Sequence, residues 1–282
     1  MPLKIDTPIV SLDWLFKNLN NENLIVLDAS IPKVIAKKEE VSAHERQYIK
    51  GAIFFDIKNS FSDLNAAFPN TILSPKKFQE SAQKIGINKD SCIVVYDDFG
   101  IYSAPRVWWM FNLMGFTNIA VLNGGFPQWK NKKYPIENQE IYLFKKGNFT
   151  VNYQPERIKF TNDVFCAIKN KTILIADARS KGRFYASEPE PRTDVKGGHI
   201  PNSVNLSYLE IIKNGKIKPK KDLKTIFNAI NPENKALIFS CGTGITASIL
   251  ALGAELSGIK NYAVYDGSWT EWASTEGLPI EK

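Results

Sequence analysis

The chain has 282 residues, of which 44% are apolar and 23% are charged, and its 36 lysines and arginines outnumber its 29 aspartates and glutamates. This length corresponds to about two domains, and the composition excludes wholesale disorder. No apolar run reaches the roughly 18 residues that span a bilayer. Three cysteines without a C-x-x-C pair exclude a disulfide framework. We therefore expect a reducing, cytoplasmic compartment, no membrane association, no metal site and no cofactor.

Four sequence blocks in the first half of the chain recur in the same order in the second half. The paired blocks are Leu24–Ser30 with Ile173–Arg179, Tyr48–Ile53 with His199–Val204, Val94–Gly100 with Leu237–Gly244, and Asn123–Trp129 with Asp266–Trp272. The offset between paired residues stays between 143 and 151, which indicates tandem duplication of one domain. We predict an N-terminal domain over residues 1–145, a linker over 146–160 and a C-terminal domain over 161–282.

Short β-branched runs alternate with helix-length amphipathic segments along each copy. In chain order, the run Leu24–Asp28 predicts a strand, Cys92 opens another, Cys166 lies in a predicted helix, and Ile173–Asp177 predicts a further strand. The best-defined unit is Ala236–Gly258, an apolar strand followed by a glycine-containing turn and an amphipathic helix. This alternation predicts an α/β fold, in which each copy is a parallel sheet flanked by helices on both faces.

The turn in this last unit carries a cysteine at the place where ligands bind in open α/β sheets. Cys241 follows the strand, and two glycines after it let the backbone curl around the sulfur. The amide N–H groups and the helix N-terminus then favour a thiolate and an added anionic sulfur. We predict that Cys241 is the nucleophile and that the persulfide cradle consists of Gly242, Thr243, Gly244, Ile245, Thr246 and Ala247. The alternative is a buried structural cysteine, and this is what we predict for Cys92 and Cys166.

These motifs resemble those of the two-domain rhodanese-type sulfurtransferases, and they are most similar to the 3-mercaptopyruvate branch of that family. The resemblance covers nearly the whole chain and rests on the Cys241–Ala247 loop, on Asp177–Phe184, Glu188–Arg192 and Gly198–Pro201, and on Ser103–Trp109 in the first copy. It implies transfer of sulfur from 3-mercaptopyruvate to a thiol or cyanide through a Cys241 persulfide, with release of pyruvate. It also implies a thioredoxin-like dithiol as acceptor.

The resemblance further implies roles for residues outside the loop. Arg183 and Arg192 match the arginines that hold the donor carboxylate and keto oxygen, and a guanidinium fork suits a planar carboxylate. The alternative for each is a salt bridge. Arg179 is expected to anchor the strand end, and His199 is expected to have a structural part in its turn. Thr243 is expected either to steer the proton that the leaving enolate needs or to cap the helix.

The first copy departs from the catalytic pattern. Asp97 occupies the position equivalent to Cys241, so the first domain is expected to be catalytically silent. The family pairs the loop hydroxyl with a histidine and an aspartate of the first domain. Here Asp63 matches the aspartate, but the histidine position holds Asn70, which cannot titrate. Arg106 is a third accessory candidate, which either faces the cleft between the copies or has a purely structural role.

Four other functions are weighed against this prediction. Thiosulfate is the alternative donor, but the branch that prefers it has basic side chains directly after the cysteine, where this chain has Gly242 and Thr243. Cysteine phosphatases need an arginine at the position of Ala247. The net charge of +7 and the lysines of 213–221 suggest a nucleic-acid binder, but no aromatic interleaving accompanies them. A non-catalytic rhodanese-like binding module would not need the intact cysteine loop.

Overall fold

The computed structural model describes residues 2–31, 47–138 and 145–282, and it divides into two compact units. Unit 1 consists of Met1–Phe61, Leu73–Tyr153 and Asn214–Lys216. Unit 2 consists of Ser62–Ile72, Gln154–Lys213 and Ile217–Lys282. Each unit thus includes a short segment whose place in the sequence lies within the other copy. The sequence predicted neither segment, and the predicted boundaries at 145 and 161 stay a prediction.

The first copy contains seven described strands and four described helices. The strands are β1 (Ile9–Val10), β2 (Leu24–Asp28), β3 (Gln47–Ile49), β4 (Ile53–Phe54), β5 (Cys92–Tyr96), β6 (Ile119–Leu122) and β7 (Ile136–Asn138). The helices are α1 (Leu12–Asn18), α2 (Pro75–Lys84), α3 (Ala104–Leu113) and α4 (Gly125–Asn131). Five strands form a parallel sheet in the order β1-β6-β5-β2-β4, and β3 pairs with β7 in an antiparallel ladder.

The second copy repeats this sheet strand for strand. Its strands are β8 (Ile158–Lys159), β9 (Ile173–Asp177), β10 (Ser203–Asn205), β11 (Ile212–Lys213), β12 (Lys216–Ile217), β13 (Ala236–Ser240) and β14 (Tyr262–Tyr265). Its helices are α5 (Thr161–Ala167), α6 (Lys181–Phe184), α7 (Lys220–Ile230), α8 (Ala247–Ser257) and α9 (Ser268–Ser274). The parallel order β8-β14-β13-β9-β10 matches β1-β6-β5-β2-β4, so the predicted repeat of two α/β sheets is confirmed.

Alternating side chains of β13 build the core on both faces of the second sheet. Ile238 belongs to the cluster that includes Trp269 and Trp272 of α9, whereas the ring of Phe239 contacts Phe227 of α7. Because successive residues of a strand point to opposite faces, this strand is buried on both sides and reads as an apolar run. Within the described ranges, no helix combines the length and the apolar character that crossing a membrane requires.

The position of β13 in the sheet determines what lies beside its carboxyl end. The strand pairs with β9 on one side and with β14 on the other, in parallel register. The segments that follow all three strands therefore meet at one edge of the sheet. The chain leaves β13 through Cys241 and leaves β14 through residues 266 and 267, which lead into α9.

Candidate active site

Cys241 is a free, buried thiol in the loop between β13 and α8. Gly244 in this loop has φ +77°, a left-handed conformation that favours glycine. A Cβ built on Gly242 would lie 3.3 Å from Nη2 of Arg183, so a side chain there would press on the guanidinium. Of the other cysteines, Cys92 is buried in β5, where burial raises the pKa of its thiol to about 11. Cys166 is exposed on α5, so the prediction of a buried structural cysteine is wrong for this residue, which lies on the solvent side of its helix.

The Cys241 loop is tied to the start of α9 by a hydroxyl that sequence analysis missed. The N–H groups of Cys241 and Gly244 both donate to Oγ of Ser268, each at 3.1 Å. Oγ of Ser268 in turn donates to the carbonyl of Tyr265 at 2.8 Å and lies 3.9 Å from Sγ of Cys241. The carbonyl of Cys241 accepts the N–H of Trp269 at 2.9 Å. The backbone on both sides of the thiol is therefore fixed.

Several amides of the predicted cradle are not used by the protein itself. In the part of the chain that the structure describes, the N–H groups of Thr243, Ile245 and Thr246 have no hydrogen-bond acceptor. The N-terminal N–H groups of a helix lack intrahelical partners, so such groups commonly bind an anion. Of the other predicted cradle residues, Gly244 gives its N–H to Ser268, and Ala247 begins α8. The loop can therefore offer several donors to one negatively charged atom.

Asn70 contacts the hydroxyl of the cysteine loop. Nδ2 of Asn70 donates to Oγ1 of Thr243 at 2.9 Å. Because Oγ1 accepts this bond, the hydroxyl proton of Thr243 is available for donation elsewhere. The alternative role of Thr243 as a helix cap is not what the structure shows, since the N-cap residue of α8 is Thr246 and receives no side-chain cap bond.

The segment 62–72, which belongs to unit 2, holds Asn70 in place. Its ends are joined by an antiparallel bridge between Ser62 and Ile72, and the N–H of Ile72 donates to Oδ2 of Asp266 at 2.9 Å. The carboxylate of Asp63 accepts the N–H of Asn65 at 3.1 Å, which shapes the loop. Arg106 belongs to α3 of unit 1, where it is buried and its guanidinium stacks over Trp109.

Arg183 stands beside the cysteine loop with one edge of its guanidinium already held. Nε and Nη2 of Arg183 donate to the two oxygens of Glu190 at 3.2 and 2.5 Å. Glu190 also accepts from Nη1 of Arg179 at 2.8 Å. The predicted salt-bridge alternative is thus present, but it occupies only the Nε edge of the fork. Glu190 is a second residue that sequence analysis did not assign, although it lies inside a motif that was singled out.

Arg179 and His199 make the structural contacts that were expected of them. Arg179 donates to both oxygens of Asp177 and to the carbonyl of Gly198, and its guanidinium lies 4.5 Å from the ring centre of Trp269. The ring of His199 stacks on Phe184, and its Nδ1 lies 3.0 Å from the carbonyl of that residue. Both side chains thus brace the turn after β9.

Arg192 reaches the cysteine loop through one intermediate residue. Its Nη1 donates to Oγ1 of Thr270 at 3.2 Å, and the N–H of Thr270 donates to the carbonyl of Gly242 at 3.0 Å. Among the ion pairs of the described residues, none includes Arg192. Arg183 therefore lies next to the backbone of the Cys241 loop, and Arg192 is linked to that backbone through Thr270.

In the equivalent loop of unit 1, the carboxylate of Asp97 binds the N–H groups of the loop. The carboxylate of Asp97 accepts the N–H groups of Phe99, Tyr102, Ser103 and Ala104 at 2.8 to 3.0 Å. Burial raises the pKa of this carboxyl, against the opposing effect of the N–H donors. This loop therefore gives four of its N–H donors to its own carboxylate.

Comparisons with known proteins decide the family. The family model of the rhodanese-like domain matches residues 11–132 and 166–275. The chain belongs to the rhodanese-like family. This rhodanese-like chain is 32% identical over 277 residues to the 3-mercaptopyruvate sulfurtransferase of Escherichia coli strain K12, with 98% of each chain covered. It is 34% identical over 301 residues to thiosulfate/3-mercaptopyruvate sulfurtransferase 2 of Arabidopsis thaliana, covering 99% of this chain and 88% of the relative.

A solved structure agrees with the sequence relatives. The crystal structure of the 3-mercaptopyruvate sulfotransferase SseA from Escherichia coli matches with a TM-score of 0.83 at 31% identity, covering 93% of this chain and 99% of that one. The family that the sequence motifs predicted is therefore confirmed.

Proposed function

We propose that this chain is a sulfurtransferase that takes sulfur from 3-mercaptopyruvate onto Cys241 and passes it to a thiol or cyanide. The observation that carries the proposal is the cradle, in which a buried cysteine sits in a loop whose N–H groups at Thr243, Ile245 and Thr246 have no acceptor in the described chain. The named activities of the relatives from Escherichia coli and Arabidopsis thaliana support the same chemistry.

The proposed first half-reaction transfers one sulfur atom. The Cys241 thiolate attacks the donor sulfur, so an S–S bond forms while the C–S bond of the donor breaks. The electron pair of the broken bond leaves as the enolate of pyruvate, which then takes up a proton. The cradle amides bind the outer sulfur of the persulfide, where preorganised donors are most effective against developing charge. A thiolate or cyanide then attacks the outer sulfur and regenerates the Cys241 thiolate.

Thr243 and Asn70 are proposed to serve the proton step. The amide of Asn70 holds Oγ1 of Thr243 at 2.9 Å, which leaves the hydroxyl proton directed away from Asn70. Asn70 has no titratable group, so we propose that water supplies the proton and that Thr243 guides it to the enolate carbon. Asp63 contributes by shaping the segment that carries Asn70, through its bond from the N–H of Asn65.

The charges beside the loop favour a donor with one carboxylate. Asp177 and Glu190 pair with Arg179 and Arg183, so these four charges cancel, and Arg192 adds one positive charge. We propose that Arg183 binds the donor through the guanidinium edge that Glu190 leaves open, together with Arg192. Charge-assisted bonds of this kind are short and strong. Among these three arginines and their two carboxylate partners, the positive charge that is left lies on Arg192, where it can pair with the donor carboxylate.

Thiosulfate is the second candidate donor, because the name of the Arabidopsis thaliana relative includes it. The test compares kcat/KM for 3-mercaptopyruvate and thiosulfate, with cyanide as the common acceptor. We expect 3-mercaptopyruvate to be preferred by about 10-fold or more, and a preference for thiosulfate would contradict the proposed donor.

The physiological acceptor is proposed to be a thioredoxin-like dithiol. One thiol of a dithiol attacks the outer persulfide sulfur, and the second thiol then forms a disulfide with the first and releases sulfide. Cyanide has no second thiol and cannot carry out this second step. The test measures turnover with a reduced dithiol protein in place of cyanide. Cytoplasmic localisation stays a prediction from the sequence.

A further inference from the structure

We propose that Ser268 is a positioning residue for sulfur transfer, whose hydroxyl sets the backbone of the Cys241 loop. The proposal rests on the proposed function of Cys241 and adds a residue that neither the loop motif nor the arginines indicated. Ser268 is fully buried at the first position of α9, directly beside the thiol.

Every hydrogen-bonding capacity of the Ser268 hydroxyl is used on the backbone around the thiol. Its one proton is donated to the carbonyl of Tyr265 at 2.8 Å, and its two lone pairs accept the N–H groups of Cys241 and Gly244 at 3.1 Å each. One side chain thus joins the end of β14 to both ends of the first loop turn. Because these two amides are bound, they are directed at Oγ and away from the sulfur.

The backbone conformation of Ser268 supports a role for its hydroxyl in holding the loop. Ser268 has φ +51°, in the left-handed region that favours glycine, and the equivalent residue of unit 1 is Gly125 with φ +52°. The two repeats therefore share this conformation, but only the copy with the cysteine has a side chain there. A serine in this conformation is explained if its three hydrogen bonds offset the backbone strain.

The unit 1 loop leaves no space for a serine at the position of Gly125. A Cβ built on Gly125 would lie 2.5 Å from the carbonyl oxygen of Asp97 and 2.8 Å from Cα of Gly100. The unit 1 loop thus lies too close to its helix for a serine, whereas the unit 2 loop accommodates one and is held by it. We infer that the serine keeps the cysteine loop at a distance from α9 that leaves the cradle amides available to sulfur.

Ser268 does not act on the reacting atoms itself. Its proton is committed to Tyr265, and its Oγ lies 3.9 Å from Sγ of Cys241, longer than a strong bond to sulfur. The expected effect of removing it is therefore on the orientation of the thiolate and the amides. Such an effect lowers kcat and leaves KM for the donor nearly unchanged.

The experiment uses two substitutions and one control. Ser268→Ala keeps Cβ and removes the hydroxyl, and Ser268→Gly also relieves the left-handed conformation. Ser257→Ala, at the end of α8, removes a buried hydroxyl that donates to Ala254 and does not contact the loop. Each purified variant is assayed for kcat and KM with 3-mercaptopyruvate as donor, for melting temperature and for the pH dependence of iodoacetamide alkylation of the peptide containing Cys241.

We expect both Ser268 variants to remain folded, with kcat reduced by about 10-fold or more, KM within about twofold of the original, and a changed pH profile for alkylation of Cys241. Ser257→Ala should retain the original kcat and alkylation profile. Two results would overturn the proposal: retention of full kcat by Ser268→Ala, or loss of activity in both variants with an unchanged alkylation profile. If the unsubstituted chain forms no persulfide at all, the proposed function fails instead, which separates the two outcomes.

Discussion

The loops after β5 and β13 are the same strand-to-helix turn with different contents. In unit 1 the carbonyl of Asp97 accepts the N–H of Phe126 at 3.0 Å, and in unit 2 the carbonyl of Cys241 accepts the N–H of Trp269 at 2.9 Å. The first loop gives four N–H groups to its own carboxylate. The second leaves cradle amides without an acceptor in the described chain. The backbone frame thus collects donors around one point, and the side chain at that point decides whether they remain available.

The comparison shows how the same turn can satisfy its amides without an added sulfur. The amides of Phe99 and Tyr102 correspond by position to those of Thr243 and Thr246. Leaving such groups buried and unpaired is unfavourable, and a carboxylate at position 97 satisfies them internally. In the second copy that cost is tolerated because, as we propose, the sulfur anion satisfies the same donors during each turnover.

The largest expected effect comes from placing the aspartate of the unit 1 loop at position 241 of the second unit. Cys241→Asp should reduce sulfur transfer to background, because a carboxylate cannot carry sulfur. The new side chain should accept the cradle amides as Asp97 does. At about pH 5, where a raised pKa of this carboxyl costs least, the variant should therefore melt at or above the temperature of the matched control Cys241→Ser. Thiocyanate release and thermal denaturation measure both effects. Sulfur transfer by Cys241→Asp, or a melting temperature clearly below that of Cys241→Ser, would break the comparison.

The next effect concerns the arginines beside the second loop. Arg183→Ala and Arg192→Ala should each raise KM for 3-mercaptopyruvate by about 10-fold or more, since a hydrogen bond to a charged group contributes roughly 1.5 to 3 kcal/mol. Arg157→Ala is the control, because Arg157 contacts Tyr262 at the opposite end of β14. Steady-state kinetics test this, and unchanged KM values in both site variants would place the carboxylate elsewhere.

A smaller effect is expected at Asn70. Asn70→Ala removes the bond to Thr243 and should lower kcat about 3- to 10-fold, which corresponds to a typical neutral hydrogen bond. Asn70→His should add a titration near pH 6.5 to the kcat profile, because imidazole ionises in that range. The pH dependence of kcat for the original chain and both variants is the measurement. Equal kcat and identical profiles for all three would show that Asn70 has no part in the proton step.

The smallest effect on activity is expected from a substitution at Asp97, in the loop after β5. Asp97→Asn should change kcat/KM by less than about twofold, because Asp97 has no part in the proposed transfer. Burial raises the pKa of the Asp97 carboxyl, so the folded state holds its proton more tightly than the unfolded state. Its contribution to stability is therefore greatest at low pH and decreases as the pH rises above the ordinary range for aspartate.

Urea denaturation of the original chain and of Asp97→Asn, repeated between about pH 4 and pH 8, measures this pH dependence. The original chain should lose stability relative to the variant as the pH increases. A difference in the free energy of unfolding that stays constant with pH, or a large loss of activity in Asp97→Asn, would contradict this account of the unit 1 loop.

Local features of the site were predictable from the sequence, and long-range ones were not. The strand, the glycines and the helix around Cys241 are patterns of neighbouring residues, so the amino-acid order alone is enough to place the loop. The α/β class followed in the same way from alternating elements. Ser268 could have been found by comparing the aligned Asp-Gly-Ser and Asn-Gly-Gly turns, because the third residue of the turn is the one that binds the loop.

Other features depend on packing that sequence spacing does not encode. Asn70 and Thr243 are 173 residues apart in the sequence. The family resemblance indicated that residue 70 pairs with the loop hydroxyl, but it did not indicate which atom donates the hydrogen bond. The motif that contains Glu190 was recognised, but its hold on one edge of Arg183 depends on how α6 packs. The assignment of segments 62–72 and 214–216 to the units likewise follows from tertiary structure alone.

The central claim is that Cys241 carries sulfur, and mass spectrometry of the donor-treated chain tests it most directly. The chain is incubated with 3-mercaptopyruvate without acceptor, digested without reductant, and compared with untreated chain and with Cys241→Ser. We predict a gain of about 32 Da, one sulfur atom, on the peptide that contains residue 241, and its loss after cyanide is added. An unmodified peptide at residue 241 in a chain that still consumes 3-mercaptopyruvate would contradict the account.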